Sequence, residues 1–457
     1  MSKKAARSVD VLVVGAGPSG LSAAWNILKD GRYSVHVVEA SERVGGRTFN
    51  HTLPSGVLIE RGGTWAGPTQ TALLALAKEL GVAIKNGKPE GKTFYGFGGA
   101  WNKVEFPSDT APVEAQRDFE QAMAAFETLC RTVPRDMPWA APAAAILDAM
   151  SVGDWIRMNT HFEESRTWFT GCIRKLQGGD PDKVSLLWML HFIQSANFED
   201  LLDTAEDYRF VGGAQSISLN IADKLADRLW LNAPATLIND QAGQNWVAVE
   251  TPRGRVLARQ VIVATMPASL RNISFAPELP AHHQHLIAEW GTMSWIKFHA
   301  IYNRPFWRNK NIGSQFLCLD RLVETFDVSP LDESWGEIVG FILPDSPGRT
   351  APDVVGYCQD FLAEVYGEEA DAPRELAFFD WNEQPWIGGC VSAPRPGLLT
   401  ETGSALREPV GRIHWAGTER SSIWVNYIEG AVRSGQSAAR ETLLALSGVP
   451  ANEMTAR

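Results

Sequence analysis

The sequence is short of the features that mark membrane, secreted and nucleic-acid-binding proteins. Its longest apolar stretches, such as SLLWMLHFI at residues 185–193, fall well below the roughly 18 residues that span a bilayer. Its five cysteines show no CxxC motif and no pairing pattern, which indicates free thiols in a reducing compartment. A formal net charge of −11 offers no basic surface to nucleic acid or anionic lipid. We therefore expect a cytoplasmic protein with a small-molecule partner, no nucleic-acid partner and no membrane.

Metal ligands are also scarce. His282, His283 and His285 cluster near the start of a possible helix, but no cysteine or aspartate accompanies them. We interpret this segment as a solvated loop and predict no metal site.

The rest of the composition is that of a globular protein. At 457 residues the chain is long enough for about two or three domains. Its 17 tryptophans exceed what a core alone requires and favour an aromatic-lined cavity.

The most informative segment is VLVVGAGPSG at residues 11–20, a strand, a glycine-rich turn and the start of a helix. Gly15 permits the tight turn, Gly17 lets the backbone approach a pyrophosphate, and Gly20 lets the helix pack closely on the strand. The first N–H groups of that helix then face the anion. The segment predicts a bound dinucleotide.

A carboxylate at ribose distance supports this prediction. Residues 33–40 form a second predicted strand, and Glu39 near its end lies 19 residues beyond Gly20. An acid there accepts hydrogen bonds from ribose hydroxyls and repels a ribose phosphate, so NADP is disfavoured. Arg43 and Arg47, in the following ERVGGR, can neutralise pyrophosphate charge.

The spacing of apolar residues predicts where helices and strands lie in the rest of the chain. Residues 70–80 and 354–366 predict helices, and residues 113–197 are helical throughout without strand-like alternation. Nucleotide-fold elements resume at residue 210, so that fold is discontinuous. The predicted elements that follow are a helix at 214–229, a strand at 230–232, a hairpin at 246–267, second-sheet strands at 296–302, 337–343 and 375–380, and a last strand and helix at 412–419 and from 427.

Eight segments, in order, resemble the flavin-containing amine oxidase superfamily and its monoamine oxidase branch. The resemblance covers residues 10–446 and rests on VVGAGPSGLSAA, ERVGGRT, ERGGTWAGPTQ, FVGG, WIKFHAIYNRPFW, WNEQPWIGGC, PVGRIHWAGTE and YIEGAVRSG. It implies an α/β fold with a discontinuous Rossmann-like FAD-binding domain of the GR2 type. The substrate domain would be a mixed sheet with an inserted helical subdomain. The expected FAD-binding segments are 1–84, 209–284 and 390–457, and the expected substrate-binding segments are 85–208 and 285–389.

The resemblance also implies which residues hold FAD, with the ADP-ribose at the opening turn, the adenine near Ala235 and the flavin near the chain's last helix. The expected cofactor residues are Gly15, Gly17, Ser19, Gly20, Glu39, Arg43, Gly46, Arg47, Gly63, Thr64, Ala235, Trp381, Cys390, Thr418, Glu419 and Ile428.

Three residues are implied in catalysis. Lys297, in WIKFH, matches the lysine that holds a water beside flavin N5, although a solvent-facing strand lysine is the alternative. Trp381 matches the tryptophan beside the ring system, with a core tryptophan as the alternative. Tyr427 matches one of two tyrosines that flank the substrate nitrogen.

Cys390 follows a glycine pair where monoamine oxidases carry a thioether to the flavin 8α-methyl group. Related enzymes place a small residue under the isoalloxazine without a bond, so covalent and non-covalent FAD both stay open.

The other family tyrosine is replaced by Val391, so half of the aromatic cage is missing. Trp424 or Trp386 offers a replacement face, and Asn426 stands where the family usually has glycine. The expected pocket residues are Trp65, Phe198, Leu202, Val391, Trp424 and Tyr427.

These residues together predict oxidation of a primary or cyclic/secondary amine to an imine, with O2 reduced to H2O2. Alternatives are a flavin amine dehydrogenase that reduces a carrier protein, a C–C desaturase, an L-amino-acid oxidase and an FAD-binding regulatory module. Thr64 and Trp65 stand where the amino-acid oxidase branch has an arginine, which disfavours that branch. The eukaryotic C-terminal membrane helix is not matched, so we expect a soluble, bacterial-type form, and a homodimer.

Overall fold

The computed structural model describes residues 7–87, 93–97, 100–102, 112–241, 245–310, 312, 315–319 and 321–448. The strands, numbered in chain order, are β1 (Arg7–Val14), β2 (Val35–Val38), β3 (Asn50–Thr52), β4 (Leu58–Glu60), β5 (Trp65–Ala66), β6 (Ile84–Asn86), β7 (Thr93–Phe97), β8 (Ala100–Asn102), β9 (Tyr208–Phe210), β10 (Leu229–Trp230), β11 (Leu237–Asn239), β12 (Val247–Thr251), β13 (Gly254–Val263), β14 (Ser274–Ala276), β15 (Thr292–Met293), β16 (Ile296–Tyr302), β17 (Gln315–Cys318), β18 (Val323–Asp327), β19 (Gly336–Ile342), β20 (Glu375–Asp380), β21 (Val391–Ser392) and β22 (Ile413–Trp415).

The α-helices are α1 (Pro18–Asp30), α2 (Thr71–Glu79), α3 (Val113–Cys130), α4 (Ala144–Ala149), α5 (Val152–Asn159), α6 (Glu163–Gln177), α7 (Leu186–Ala196), α8 (Phe198–Asp203), α9 (Gln215–Leu225), α10 (Ala281–Glu289), α11 (Phe306–Asn309), α12 (Val354–Tyr366), α13 (Leu398–Thr402) and α14 (Ile428–Ser447).

The nucleotide-binding sheet has the order β10-β2-β1-β13-β12-β11-β14, and β22 also pairs with β13. Its centre is parallel, since β1 pairs in parallel with both β2 and β13. Val11 and Val13 face a core formed with α1 and α14, whereas Leu12 and Val14 face a second core on the other side. Burial on both faces explains why this strand is a continuous apolar run rather than an alternating one.

The second large sheet has the order β20-β16-β19-β18-β17-β7-β8 and is mostly antiparallel. Along β16, successive side chains point to opposite faces of this sheet. Phe298 and Ala300 of β16 belong to an apolar core that includes residues of α12. Lys297 and His299 therefore lie on the opposite face, because successive strand residues point to opposite sides. That face points toward the nucleotide-binding unit.

Residues 113–197 fold as helices α3 to α7, as predicted, and bury a core that includes Phe126, Phe169 and Trp188. The fold class predicted from the resemblance is confirmed. Helix α12 and strands β16 and β20 begin and end at the residues predicted from the sequence. The division into an FAD-binding and a substrate-binding domain stays a prediction. All strands of the nucleotide-binding sheet come from the expected FAD-binding segments, and all strands of the second sheet come from the expected substrate-binding segments.

The predicted loop at His282, His283 and His285 is wrong. These residues lie in α10, and His283 is buried with its Nε2 3.2 Å from the carbonyl oxygen of Glu408. The helix starts directly after Pro280, and its 3.6-residue period turns His283 inward together with Leu286.

The five cysteines are free, and Cys130, Cys318 and Cys358 are buried. Cys172 is partly exposed. Among the described residues, no group of three or more His, Cys, Asp or Glu side chains could hold a metal ion. In the same part of the chain, no helix has the length and apolarity required to cross a membrane.

Candidate active site

The opening glycines occupy positions where a side chain does not fit. Gly15 has a φ of +104°, and its N–H donates to the carbonyl oxygen of Val38 over 2.8 Å. A Cβ on Gly20 would lie 2.0 Å from the carbonyl oxygen of Gly15, so α1 can pack this closely only without one. A Cβ on Gly17 would meet no protein atom nearer than Gly46 Cα at 3.8 Å. The space in front of Gly17 is thus open to a ligand.

Glu39 follows β2 directly, at the carboxyl edge of the parallel strands. Its Oε2 accepts a 2.6 Å hydrogen bond from the Ala16 N–H, and its Oε1 accepts from the Ser41 N–H and hydroxyl. These bonds fix the carboxylate beside the glycine turn, where the sequence predicted a ribose partner.

A cavity of about 640 Å³ starts at this turn and extends to the N-terminus of α14. Twelve predicted cofactor residues line it: Gly15, Gly17, Ser19, Glu39, Arg43, Gly46, Arg47, Gly63, Ala235, Cys390, Thr418 and Ile428. Four predicted residues, Gly20, Thr64, Trp381 and Glu419, are not part of its lining. The cavity size lies within the range of small-molecule and cofactor sites, which is about 300–1,000 Å³.

The cavity fits a phosphate-bearing cofactor. The hydroxyls of Ser19 and Thr265 are buried on its wall and have no hydrogen-bond partner in the protein. Buried polar groups of this kind are normally satisfied, so these two donors are suited to an oxygen-rich ligand. The N-terminus of α1 lies beside Ser19 and adds unpaired backbone N–H groups, which favour an anion.

Arg47 reaches the other end of the cavity. Its Nη2 lies 2.7 Å from Glu419 Oε1, and its Nη1 donates to the carbonyl oxygen of Cys390 over 3.0 Å. The Glu419 side chain is 0% exposed, and its Oε2 has no partner. The guanidinium predicted to neutralise pyrophosphate thus neutralises a buried carboxylate in this structure.

Cys390 lines the cavity after two glycines that need unusual backbone conformations. Gly388 has a φ of +64° and Gly389 a φ of +147°, which L side chains rarely adopt. The Cys390 N–H donates to the carbonyl oxygen of Met293 over 2.8 Å and holds the turn against β15. Burial raises the pKa of the Cys390 thiol to about 11, although the positive charges of Arg47 and Lys297 oppose this. The thiol is therefore protonated at neutral pH.

Tyr427 forms the N-cap of α14 and lines the same end of the cavity. Its ring stacks on Phe192 with a centroid distance of 6.1 Å and an interplanar angle of 10°. Trp424 packs edge-on against Tyr427 with a centroid distance of 4.8 Å. Trp424 is only 2% exposed and is not in the cavity lining. Trp386, the other predicted replacement face, lines the cavity and is 40% exposed.

Val391 and Asn426 both line the cavity near Cys390. Asn426 has a φ of +66°, a conformation that glycine and asparagine tolerate best. Its side chain lies 3.4 Å from the Ser392 N–H and 3.5 Å from the Ser392 carbonyl oxygen. The Asn426 side chain thus links this turn to β21.

Lys297 lies on β16, buried to 3% exposure. Its Nζ donates to the Gly62 carbonyl oxygen over 2.8 Å and to Thr64 Oγ1 over 2.9 Å. Burial lowers the pKa of Lys297 to about 8. Thr64 is thus a partner of Lys297, and the neighbouring Gly63 lines the cavity. The alternative of a solvent-facing strand lysine is wrong, because this strand face is covered.

The same sheet face carries an aromatic wall. Phe379, Lys297, Phe341 and Glu324 stand directly opposite one another on β20, β16, β19 and β18. Phe326, two residues from Glu324, contacts the Trp65 ring at 5.2 Å. The Lys297 ammonium lies 5.5 Å from the Trp65 ring centroid and 5.4 Å from that of Phe341. Sequence reasoning missed Phe326 and Phe341 as residues of this wall. The alternation of side chains along β18 and β19 is the signal that could have placed them on the same face as Lys297.

Two buried pairs of ionisable side chains lie on or beside this face. Glu60 Oε2 lies 2.9 Å from Arg209 Nη2, and His299 Nδ1 lies 2.9 Å from Glu337 Oε1. Burial also lowers the pKa of His299, so its ring is neutral near pH 7. No sequence motif indicated these pairs.

The remaining predicted residues are further from the cavity. Trp381 is buried, and its Nε1 donates to the Arg61 carbonyl oxygen over 3.1 Å. Phe198 packs on the core of the helical subdomain. The Leu202 side chain lies outside the described residues.

Comparisons with known proteins agree with this geometry. A family profile described as flavin containing amine oxidoreductase matches residues 18–443. The Mycobacterium tuberculosis protein AofH, which carries the name of a flavin-containing monoamine oxidase, is 37% identical over 95% of this chain and 96% of its own. An L-amino acid dehydrogenase of Synechocystis is 35% identical over 95% of this chain and 94% of its own. The structure of cyclohexylamine oxidase from Brevibacterium oxydans superposes with a TM-score of 0.89 at 32% identity, covering 96% of this chain and 99% of the other. The chain therefore belongs to the family of flavin-containing amine oxidoreductases, and it is an FAD enzyme that oxidises amines.

Proposed function

We propose that this enzyme converts a primary or cyclic/secondary amine and O2 into an imine and H2O2. Water then hydrolyses the imine to an aldehyde or ketone and to ammonia or an amine. Bound FAD supplies the acceptor for the hydride equivalent that leaves the carbon bearing nitrogen. The observation that carries the proposal is the buried Lys297, held between Gly62 and Thr64 next to the cavity end formed by Cys390, Val391 and Tyr427.

Lys297 has the protonation behaviour that a proton-handling group needs. A pKa of about 8 lets its Nζ exist in both forms near neutral pH, whereas an ordinary lysine is always charged there. With two of its donors bound to Gly62 and Thr64, the third can hold a water at the cavity edge. We assign Lys297 the role of holding that water and passing its proton.

The aromatic residues orient the substrate and exclude water. The stack of Tyr427 on Phe192 fixes one ring at the cavity end, and Trp65, Phe326 and Phe341 form an apolar wall near Lys297. A dry aromatic surface disfavours the ammonium form of the amine and so favours the neutral form that can lose a hydride. With Val391 in place of a second tyrosine, this site has room for a bulkier or differently oriented amine.

The cofactor roles of the predicted residues are part of this proposal. The glycine turn, Ser19 and Glu39 would bind the ADP-ribose, and Thr418 and Ile428 at α14 would contact the flavin. Cys390 would form the thioether to the 8α-methyl group of FAD. Its position in the cavity wall supports this, whereas its raised thiol pKa favours the non-covalent alternative.

A second candidate is a dehydrogenase that reduces a carrier protein or acts on L-amino acids. The Synechocystis relative favours it. Thr64 argues against an amino-acid substrate, because it stands at the family's arginine position and its hydroxyl is engaged by Lys297.

The deciding experiment is a panel of amines and free amino acids, with H2O2 as the readout, on the purified FAD-loaded protein. We expect peroxide from amines in proportion to imine formed. Turnover of free amino acids alone would contradict the amine proposal. Flavin that is bleached by an amine, stays reduced in air and is reoxidised by a cytochrome would contradict O2 as the acceptor. The proposed homodimer is tested by light scattering on the same sample.

A further inference from the structure

A buried arginine ties two strand ends together beside the cofactor cavity. Arg420 ends the short 3-10 turn that follows β22, and it is 6% exposed. Its Nη1 donates to the carbonyl oxygens of Thr265 and Ala416, over 2.7 and 3.0 Å. These carbonyls lie just beyond β13 and β22, which pair in parallel. The guanidinium therefore lies at the carboxyl edge of the parallel strands, where ligands of such sheets bind.

A glycine of the cavity wall lies against this guanidinium. Gly417 lines the cavity together with Thr265, and its φ is +145°. A Cβ on Gly417 would lie 3.0 Å from Arg420 Nη1 and 3.1 Å from Glu419 Oε2. Arg420 itself is not part of the cavity lining. Its positive charge is thus placed directly behind the wall, where it acts on a ligand without contacting it.

Two guanidiniums share one carboxylate behind this wall. Arg47 Nη2 lies 2.7 Å from Glu419 Oε1, and the Glu419 side chain is 0% exposed. Burial lowers the pKa of Arg420 to about 10, and the negative charge of Glu419 opposes this effect. Arg420 is therefore charged at neutral pH. Two positive charges and one negative charge leave these three side chains with a net charge of +1.

The protein satisfies Arg420 incompletely. Its Nε is buried and has no hydrogen-bond partner among the described residues. Its Cζ lies 5.5 Å from the ring centroid of Trp415. Arg407, a further cation, donates from its Nε to the Arg420 carbonyl oxygen over 2.8 Å and adds to the positive potential. A buried charge without full compensation is costly, and negative charge in the cavity would offset that cost.

Reduction gives the flavin ring such a charge. The ring takes up two electrons and, near neutral pH, one proton, so it gains one negative charge that nearby protein groups can favour or disfavour. The proposed flavin position is beside Thr418 and Ile428, which line the cavity next to Gly417. A buried charge acts strongly across this wall, because protein screens it less than water does.

We propose that Arg420 supplies the net positive charge behind the cavity wall that favours reduced, anionic FAD over oxidised FAD. The inference rests on the proposed flavin position at the start of α14. Arg420 contacts neither cofactor nor substrate, so it sets the reduction equilibrium and takes no part in the chemical step. Glu419 limits the effect, because the same cluster without its carboxylate would carry one more positive charge.

The test measures flavin reduction in the FAD-loaded protein at equilibrium with a dye of known potential, with no amine present. Arg420→Gln keeps a donor for the strand-end carbonyls and removes the charge. In this variant the ratio of reduced to oxidised flavin at a fixed potential should fall about tenfold, which is about 30 mV for a two-electron couple. In Glu419→Gln the ratio should rise by a similar factor. Both shifts follow from the sign of the charge that is removed.

Arg271→Gln is the matched control. This guanidinium also donates to backbone carbonyl oxygens, at the end of α10, but the residue is exposed and water screens its charge. The ratio should equal that of wild type.

A merely structural role for Arg420 would lower the stability of the protein and leave the ratio unchanged. A ratio in Arg420→Gln within about twofold of wild type, or above it, overturns the inference. If this variant does not retain FAD, Arg420→Met takes its place, because the methionine stem still packs on Trp415. If neither retains FAD, Glu419→Gln decides, and a ratio that is unchanged or lower overturns the inference. No amine takes part, so this outcome is independent of the amine panel that tests the proposed function.

Discussion

Lys297 Nζ donates a 2.9 Å hydrogen bond to Thr64 Oγ1, which ties the second sheet to the glycine pair beside the cofactor cavity. The bond keeps one of the three donors of the lysine occupied. In the proposed reaction Thr64 therefore acts through Lys297.

Replacement of this lysine should separate catalysis from cofactor binding. We expect Lys297→Met to lower kcat about 100-fold, since a positioned proton-transfer group contributes at least that much. The flavin-to-protein absorbance ratio should stay at the wild-type value. Lys78→Met, at an exposed site on α2, is the control. A kcat within a few-fold of wild type would exclude a catalytic role for Lys297.

The lowered pKa of Lys297 also predicts a pH effect on stability. The folded state binds fewer protons than the unfolded state between the folded pKa of about 8 and the ordinary value of 10.5. This lysine therefore destabilises the fold most below pH 8, and the penalty disappears as the pH rises through that window. The unfolding temperature of wild type, relative to Lys297→Met, should increase from pH 7.5 to pH 10, measured by scanning calorimetry. A constant difference would mean that the lysine titrates normally.

Gly17 and Gly20 should respond differently to the same substitution. Gly17→Ala puts a methyl group into open space in front of the turn, so the protein should fold while FAD affinity falls at least about tenfold. Gly20→Ala puts a methyl group 2.0 Å from the Gly15 carbonyl oxygen, which displaces α1 and destabilises the fold itself. Urea unfolding of the apoproteins and FAD titration measure the two effects. Equal loss of stability in both variants would contradict the proposal that the open space in front of Gly17 is occupied by FAD.

Acid precipitation tests the thioether at Cys390. In the wild type the yellow colour should stay with the protein pellet, and in Cys390→Ser it should move to the supernatant. Cys172→Ser should behave as wild type, because Cys172 does not line the cavity. Wild-type colour in the supernatant would show that FAD is bound without a covalent bond.

The ring of Tyr427 should matter more than its hydroxyl. Tyr427→Phe retains the stack on Phe192, so kcat/KM for the best amine should change less than about threefold. Tyr427→Leu removes the aromatic face and should lower kcat/KM about tenfold. Steady-state kinetics under air saturation measures both. Equal effects of the two substitutions would assign the role to the hydroxyl.

Local sequence chemistry predicted the nucleotide-binding turn well. Gly15, Gly17, Gly20 and Glu39 act within one strand-turn-helix unit, so their spacing alone indicates where they lie. The bounds of α12 and β16 were also predictable, because one face of each is apolar at the period of its secondary structure.

Pairings between distant segments were not predictable. Arg47 and Glu419 are 372 residues apart, and only the folded sheet edge brings them together. Lys175 on α6 forms an ion pair of 3.0 Å with Glu324 on β18, and this pair depends in the same way on how the helix packs against the strand. His283 was assigned to a loop because the three histidines are polar. Its spacing from Leu286, which fits one face of a helix, was given too little weight. Trp424 was expected as a replacement face for the missing tyrosine, and nothing in its sequence context indicated that its side chain would be only 2% exposed.

Glu429 has a consequence for how the protein matures. This buried carboxylate on α14 accepts hydrogen bonds from the N–H groups of Ala72 and Leu73, at the start of α2. The first unit of the chain is thus completed by a helix that starts at residue 428. A ribosome must synthesise the chain through residues 428–447 before that helix can dock. The start of α2 therefore lacks this carboxylate partner until α14 has been synthesised and has packed against it.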